Sequence, residues 1–119
     1  METGSKWDMA NDPHTAPETL AQLSGDSDWM IRSAVAKNPN TPKDTLRSLA
    51  RDGEWTVRNN VAINPHTPVD TLDELSNNPD ALVRSNVARN MSARIETVIK
   101  LGDDCVFGVR KSAAESGRI

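Results

Sequence analysis

The side chains best suited to metal binding or catalysis in this sequence are two histidines and one cysteine. His14 and His66 lie two repeat periods apart, and because neighbouring helices lie about 8–10 Å apart, that separation is too wide for a shared metal. Cys105 follows Asp103 and Asp104 with no histidine nearby, and the sequence contains no phosphate-binding glycine loop or nucleophile motif. The sequence therefore predicts a protein that is not an enzyme, with no catalytic residue, no metal site and no cofactor.

A second pattern pairs arginines with acids or amides at a fixed spacing. Each of four arginines follows an aspartate or asparagine by six residues, and the pairs recur along the chain as Asp26 and Arg32, Asp52 and Arg58, Asn78 and Arg84, and Asp104 and Arg110. Such a series could be a row of anion-binding groups. A structural ladder of side-chain bonds between successive units is the simpler interpretation. Asparagines recur in the same way at Asn38, Asn64 and Asn90, where we expect them to bond the backbone of their own turns.

The spacing that relates these pairs is 26 residues, and apolar residues follow it too. The three apolar series are Leu20, Leu46, Leu72 and Val98; Leu23, Leu49, Leu75 and Leu101; and Ile31, Val57, Val83 and Val109. So many series at one offset indicate stacked structural units. The sequence predicts a partial unit or cap at 1–11 and a single repeat domain at 12–119, with units at 12–37, 38–63, 64–89 and 90–116.

Each unit is predicted to contain two short helices joined by turns. In the second unit, Thr41 is the predicted N-cap of the first helix and Pro42 its first residue. Asp52 is the predicted cap of the second helix, which should end at Asn64 because a proline follows. Recurrent prolines and the absence of sustained apolar–polar alternation argue against strands. The predicted fold class is all-α, a short α-solenoid of about four helix-turn-helix repeats.

The repeat resembles the leucine-rich repeat variant family, whose architecture is related to that of HEAT repeats. The matching residues are N-P-x-T-P-x-D-T-L-x-x-L and V-R-x-x-V-A-x-N-P, seen most fully in 38–64 and 64–90. The resemblance spans roughly residues 9–116, although Met91 and Ala93 depart from the pattern in the fourth copy. It implies a right-handed superhelix of paired helices, one of which can be 3₁₀ in each repeat. The iron–sulfur cluster of the family's founding type does not carry over, because Cys105 is the only cysteine.

Positions that vary between units are the candidates for partner binding, because the fold does not dictate them. Four positions of each second helix, spaced i, i+3, i+4 and i+7, share one face, and these faces align in stacked units. They are Met30, Ser33, Ala34 and Lys37; Thr56, Asn59, Asn60 and Ile63; Leu82, Ser85, Asn86 and Arg89; and Gly108, Lys111, Ser112 and Glu115. This surface is either a binding wall or the solvated side. Trp29 and Trp55, at equivalent positions, are expected to pack in the core or between units.

Two functional hypotheses follow from this surface and from the charge. The first is a non-enzymatic protein-binding scaffold, or a small regulatory or antagonist protein, that uses the aligned second helices. The alternative is a nucleic-acid-binding module with a basic C-terminal footprint of Arg84, Arg89, Arg94, Arg110, Lys111 and Arg118. The formal net charge of −3 disfavours that alternative, because polyanion binders are usually basic overall.

The sequence also predicts where the protein is located and how it associates. The sequence has no apolar run long enough to span a membrane and no signal-peptide pattern, so a cytoplasmic protein without membrane contacts is expected. The fourth unit keeps Val98, Leu101, Phe107 and Val109 with no further unit to cover them. We therefore expect a homodimer or a docked partner at the C-terminal end, unless the tail folds back over these residues.

Overall fold

The structure is a computed structural model that describes residues 3–119, with side chains from residue 5 onward. In this range the chain is helical and contains no strand. The helices are α1 (Thr3–Asn11), α2 (Pro17–Leu23), α3 (Trp29–Lys37), α4 (Lys43–Leu49), α5 (Trp55–Ile63), α6 (Val69–Leu75), α7 (Ala81–Arg89), α8 (Ile95–Leu101) and α9 (Phe107–Glu115). The all-α helical-repeat solenoid predicted from the sequence is confirmed.

Helices of seven and nine residues alternate along the chain. The short helices are α2, α4, α6 and α8, and the long helices are α1, α3, α5, α7 and α9. Successive long helices pack against one another, and each short helix packs against the two long helices that flank it in sequence. The long helices therefore form one continuous layer with the short helices beside it, in a molecule measuring 48 × 21 × 19 Å.

The first long helix, α1, has no short helix before it in the described range, which suits the predicted partial unit at 1–11. Residues 1 and 2 of that unit lie outside the described residues. The boundaries predicted for the four full units stay a prediction, because helix positions alone do not fix where a repeat begins. In the described part of the chain, no helix has the length and hydrophobicity needed to cross a membrane.

Both helices of each unit are α-helices, so the 3₁₀ option that the resemblance allowed does not apply. In α4, the Leu46 N–H donates to the Pro42 carbonyl at 3.0 Å, and the Ala50 N–H donates to the Leu46 carbonyl at 3.0 Å. These are the four-residue bonds of an α-helix. Bonds over three residues appear at its C-terminal end, from the N–H groups of Arg51 and Asp52. The helix tightens there because its last carbonyls lack ordinary partners.

The three apolar series predicted from the repeat spacing form the core. All of their members are buried, and Leu20, Leu46, Leu72 and Val98 are completely inaccessible. Helices as short as these are marginal in water by themselves. Packing between the two layers therefore supplies the stability that the individual helices lack.

The recurrent threonine of the turns bonds the helix before it, not the helix after it as predicted. Thr41 does not cap α4, because Pro42 occupies the N-cap position. The Thr41 hydroxyl instead donates to the Val35 carbonyl at 2.6 Å, near the end of α3. Thr15 and Thr67 make the corresponding bonds to the ends of α1 and α5. The threonine thus adds a second bond to a carbonyl near the C-terminus of one helix and does not accept an N–H at the start of the next.

Acidic side chains lie where three long helices begin. Asp52 accepts the N–H of Glu54 at 2.9 Å, so it braces the turn, while Glu54 itself holds the N-cap position of α5. Asp28 and Asp80 are the N-caps of α3 and α7, and each accepts the N–H two residues on. Negative charge at these positions interacts favourably with the partial positive charge at the N-terminus of each helix. We call Asp28, Glu54 and Asp80 the acidic edge.

Candidate functional site

The residues suited to chemistry lie apart. Cys105 is exposed in the turn before α9, and His14 and His66 are exposed in separate turns. Among residues 3–119, no three His, Cys, Asp or Glu side chains are grouped so that they could hold a metal ion. The remaining candidates are the polar ladders between units and the surface of the long helices.

The arginine series forms a ladder, but its side-chain partners differ from those predicted. Arg32 donates from Nε to Asp52 at 2.8 Å and from Nη2 at 3.2 Å, so its partner lies in the turn after it rather than the turn before. Asp26, six residues before, supplies its backbone carbonyl to Nη1 at 2.8 Å. Arg84 and Asp104 form the same two-bond pair. Each pair fastens one long helix to the turn that precedes the next.

The two ends of this ladder use other chemistry. Lys6 lies one repeat before the first arginine, and its Nζ binds Asp26 at 3.1 Å. At the other end, the Arg110 guanidinium donates to the Asp104 carbonyl at 2.8 Å and lies 5.7 Å from the centre of the Phe107 ring. A cation–π contact thus takes the place of the missing carboxylate. Sequence reasoning missed Lys6, although one repeat step back from the arginine series reaches it.

One rung of the ladder is broken. The partner position of Arg58 is 78, where an asparagine replaces the aspartate found at equivalent positions. Asn78 uses its Oδ1 to accept the N–H of Asp80 at 3.0 Å. Arg58 donates from Nη1 to the Asp52 carbonyl at 2.8 Å, and its Nε is buried without a hydrogen-bond partner. The joint between α5 and α7 therefore lacks the ion pair that the other three joints between long helices have.

The intact rungs lower the pKa of their acids. The pKa values of Asp26, Asp52 and Asp104 all lie below the ordinary 3.8. A backbone N–H is the main cause for Asp26, and the bond from Arg84 is the main cause for Asp104. Burial raises the pKa of Asp52, but the bonds from Arg32 and from a backbone N–H outweigh burial. These contacts favour the structural interpretation of the arginine series over free anion-binding groups.

The recurrent asparagines form a second ladder. The Asn64 side chain donates to the carbonyls of Ala36 at 2.9 Å and Asn38 at 3.1 Å, and it accepts the N–H of His66 at 2.9 Å. The last of these is the bond to its own turn that the sequence predicted. Asn38 and Asn90 make the same double contact with the preceding unit. This ladder joins the C-terminal ends of the long helices, opposite the acidic edge.

The predicted partner-binding positions differ in accessibility. The exposed ones are Met30, Lys37, Ile63, Leu82, Arg89, Gly108, Lys111 and Glu115. The half-buried ones are Thr56, Asn59, Asn60, Ser85 and Asn86. The buried ones are Ser33, Ala34 and Ser112.

Several polar members of this set hold the long helices together. Asn60 donates to the Ser33 hydroxyl at 2.7 Å and to its carbonyl at 3.0 Å. Asn86 donates to the Asn59 side-chain oxygen at 2.6 Å. Because the middle positions of the four-residue stripe face the neighbouring long helix, they contribute to packing. Ser33 is only 7% exposed, so it offers a partner little surface of its own.

A pocket with largely apolar walls lies at the N-terminal end of the long-helix layer. It encloses about 220 Å³ and is lined by Trp7, Trp29, Met30, Ser33, Ala34, Lys37 and Asn60. Ser33 and Ala34 are small and buried and form its floor, while Trp7, Trp29 and Met30 stand above the floor with 45%, 42% and 48% of their surface exposed. We call this site the tryptophan pocket.

The exposure of the tryptophans contradicts the core part of their prediction, whereas packing between units stays a prediction. Trp29 is 42% and Trp55 44% exposed, because each occupies the first position of a long helix, beside the layer rather than within it. Trp7 was missed as a binding residue, although it lies one repeat before Ser33 and so belongs to the same variable column. Extending the repeat back into the partial unit would have identified it.

The basic footprint proposed for nucleic acid is largely engaged within the chain. Arg94 binds Asp73 at 2.9 Å, and Arg118 donates to the Ala93 carbonyl at 2.6 Å. Arg84 and Arg110 belong to the ladder, and Arg89 approaches a glutamate at 4.0 Å. The bonds of Arg110 and Arg118 go to carbonyls rather than carboxylates, and Lys111 is exposed, so only part of this positive charge is neutralised.

The C-terminal end is more covered than the sequence suggested. Of the four residues expected to lie uncovered, Val98, Leu101 and Val109 are buried and Phe107 is 68% exposed. The tail also folds back, since Arg118 binds the Ala93 carbonyl and the Ile119 side chain packs beside Gly102. A homodimer through this end stays a prediction and now rests mainly on Phe107.

Comparison with known proteins identifies the repeat. The family model described as leucine rich repeat variant matches residues 29–54, which run from the start of α3 to the N-cap of α5. No curated protein matches the chain. The matched segment is one repeat unit in length and contains Arg32, Asn38 and Asp52, which supply both ladders. Residues 29–54 are therefore similar to a leucine-rich repeat variant unit, as the resemblance implied, and they belong to a chain of stacked helical repeats.

Proposed function

We propose that this scaffold is a non-enzymatic protein-binding module that holds its partner on the long helices. The observation that carries the proposal is the tryptophan pocket, where two half-exposed indoles and a methionine surround a floor of small side chains. Contiguous apolar groups exposed on a soluble protein commonly mark an interaction site. Tryptophan is also enriched among the residues that carry most of the binding energy.

Apolar side chains continue from the pocket along the same layer. Trp55, Ile63 and Leu82 belong to α5 and α7, and 44%, 48% and 48% of their surfaces are exposed. We call these three residues together with Trp7, Trp29 and Met30 the long-helix face. A face that spans successive units suits an extended segment of a partner, as concave solenoid surfaces do.

The two ladders support this proposal by fixing the helices that carry the face. The arginine rungs hold one end of the long helices, and the buried asparagines hold the other. A surface fixed in this way loses little conformational freedom when a partner binds, which favours affinity. A regulatory or antagonist protein would use the same face, because it too must hold a partner.

The proposal is tested by capturing partners from cells of the source with the immobilised protein. We expect the variant Trp7→Ser/Met30→Ser to lose a protein that the wild type captures. The matched control is Val69→Ser/Ile99→Ser, which removes two exposed apolar residues from the short helices. Circular dichroism must show equal helix content in all three proteins.

Two outcomes would contradict the proposal. One is capture that the control variant abolishes and the face variant leaves unchanged, which would move the site to the short helices. The other is capture that disappears after nuclease treatment and falls steeply with salt, because that dependence marks binding to phosphates. The second result would establish the nucleic-acid alternative.

A further inference from the structure

We propose that the tryptophan pocket binds one bulky apolar side chain of a partner peptide that carries an acidic residue beside this side chain. This inference rests on the proposed function and specifies the chemistry of the segment that the long-helix face recognises. It is carried by the size of the pocket, the nature of its walls and the single charge on its rim.

The size of the pocket suits one large side chain. A cavity of roughly 150 Å³ accommodates benzene, and the tryptophan pocket encloses about 220 Å³. Trp7 projects from α1, whereas Trp29 and Met30 lie in the first turn of α3, so an inserted ring would contact apolar atoms of two helices. An aromatic or large aliphatic side chain therefore fits, and a small one leaves the walls unfilled.

The polar groups in the floor are bonded to each other. The Asn60 amide donates to both the hydroxyl and the carbonyl of Ser33, and these bonds hold α3 and α5 together. Apart from these groups and Lys37, the side chains that line the pocket are apolar. The pocket therefore favours an apolar anchor over a hydroxyl or an amide.

The charge on the rim determines what should flank the anchor. Lys37 is exposed in the last turn of α3 and is the charged residue among the seven that line the pocket. Two indoles could otherwise attract a cation, but the ammonium group of Lys37 opposes one. At the other end of α3, the Asp28 carboxylate accepts the N–H of Met30 and keeps its negative charge. A carboxylate on the Lys37 side of the anchor residue is thus the complementary partner for the rim.

The inference can be tested with three synthetic tripeptides that separate anchor from charge. The first is acetyl-Glu-Phe-Glu-amide, the second acetyl-Glu-Ala-Glu-amide and the third acetyl-Lys-Phe-Lys-amide. The readout is the indole N–H signals in nitrogen–proton NMR spectra of the labelled protein. The chain has three tryptophans, and Trp55 is an internal control because it is as exposed as Trp29 and does not line the pocket.

We expect the first peptide to shift the signals of Trp7 and Trp29 and to leave that of Trp55 in place. Replacing phenylalanine by alanine should weaken binding about tenfold or more, since burying an aromatic side chain is worth at least that factor. Replacing glutamate by lysine should weaken it about two- to fivefold, the range of exposed ion pairs. Equal shifts of all three indoles, or equal affinity for the three peptides, would overturn the inference.

The role of Lys37 has its own control. Lys37→Gln should remove the preference for the glutamate peptide over the lysine peptide, because the rim then carries no charge. Lys111→Gln removes an exposed lysine from α9, remote from the pocket, and should keep the preference. If both variants or neither lose the preference, the charge complementarity assigned to Lys37 is refuted.

The failure of this inference differs from the failure of the proposed function. If capture of a partner depends on the long-helix face but the tripeptides shift no indole signal, only the proposed ligand chemistry is refuted. If the tripeptides bind as expected but the variant Trp7→Ser/Met30→Ser captures the partner as well as the wild type does, the proposed function is refuted and the pocket chemistry is supported.

Discussion

Single residues in this protein act mainly by connecting neighbouring units. An ion pair whose side chains are mostly buried loses less to solvent than a surface pair, which contributes little. The Arg84–Asp104 pair has this character, with side chains 12% and 11% exposed. Arg58 occupies the same position in its own unit but faces Asn78, and its Nε has no partner.

Restoring the missing carboxylate should stabilise the fold. We expect Asn78→Asp to raise the free energy of unfolding by about 1–3 kcal/mol, because a buried donor gains a charged acceptor. The new carboxylate can still accept the N–H of Asp80, as the equivalent aspartates do for theirs. Urea unfolding followed by circular dichroism measures the change.

The control for this variant is the same substitution in an Arg58→Gln background. There the added carboxylate has no guanidinium to bind, so Asn78→Asp should give no gain. A comparable gain in both backgrounds would mean that the two side chains are not coupled, and it would contradict the ladder interpretation.

Helices in this protein depend on the turns between them as much as on their own sequences. Each buried asparagine ends one long helix and binds the carbonyls at the end of the long helix before it. Asn64 is 1% exposed, donates to two such carbonyls and accepts one N–H of its own turn. The asparagine amides therefore bridge the backbones of successive long helices at the first three joints, whereas Ser116 stands at the equivalent position of the joint between α7 and α9.

Removing one of these asparagines should weaken the contact between two long helices. We expect Asn64→Ala to cost about 2 kcal/mol or more, because buried carbonyls lose their donors. Asn64→Asp should cost at least as much despite its equal size, since it places oxygen against two carbonyl oxygens. Thermal unfolding measures both effects.

The comparison is Asn77→Ala, which removes an exposed asparagine bonded to Lys100 at 3.0 Å. That change should stay within about 0.5 kcal/mol. If Asn64→Asp proved as stable as the wild type, the amide donor would have no structural role.

The helices can be predicted well from the sequence because each unit can be compared with its neighbours at the repeat spacing. Helix pairs, core series and recurrent polar residues all follow from equivalence at the repeat spacing. Spacing could not identify the partner of Arg32, because the periodic pattern places one aspartate in the turn before this arginine and another in the turn after it. Threonine was assigned to the wrong helix for a related reason, since its turn lies between two helix ends that both need partners.

The candidate site was predictable in part. Met30 and Lys37 were identified from their variability and their helical face, whereas the burial of Ser33 depends on the distance between neighbouring long helices. Trp7 was accessible to the same reasoning, but it lies in the partial unit, where fewer positions establish the register. Pocket shape also depends on the side chains of two helices together, which a periodic pattern does not describe.

At the scale of the whole molecule, the ionised rungs make stability depend on pH along the entire chain. Asp26, Asp52 and Asp104 have pKa values below 3.8, so they bind fewer protons in the folded state than in the unfolded state. Their contribution is fully present above the ordinary pKa and is lost as pH falls through the lowered values. These acids lie in three separate turns, so acid should weaken several joints at once.

We expect the urea midpoint of the wild type to fall as the pH drops below about 4. The variant Asp52→Asn should be less stable than the wild type at neutral pH, and the difference should shrink as the pH approaches and passes the lowered pKa of Asp52. Asp44→Asn, which changes an acid whose side chain is 95% exposed, serves as the control. A stability difference for Asp52→Asn that stays constant from neutral to strongly acidic pH would contradict the assigned ionisation.

The long helices are fastened at both ends, and the broken rung removes the ion pair at only one of these ends. Between α5 and α7, Asn90 still binds the carbonyls of Ala62 and Asn64, while Arg58 and Asn78 leave the opposite end without its ion pair. This joint therefore has unequal stiffness across its width. Under a bending load the solenoid should open at this joint. The ends of α5 and α7 at the acidic edge should separate, while the ends joined by Asn90 stay together.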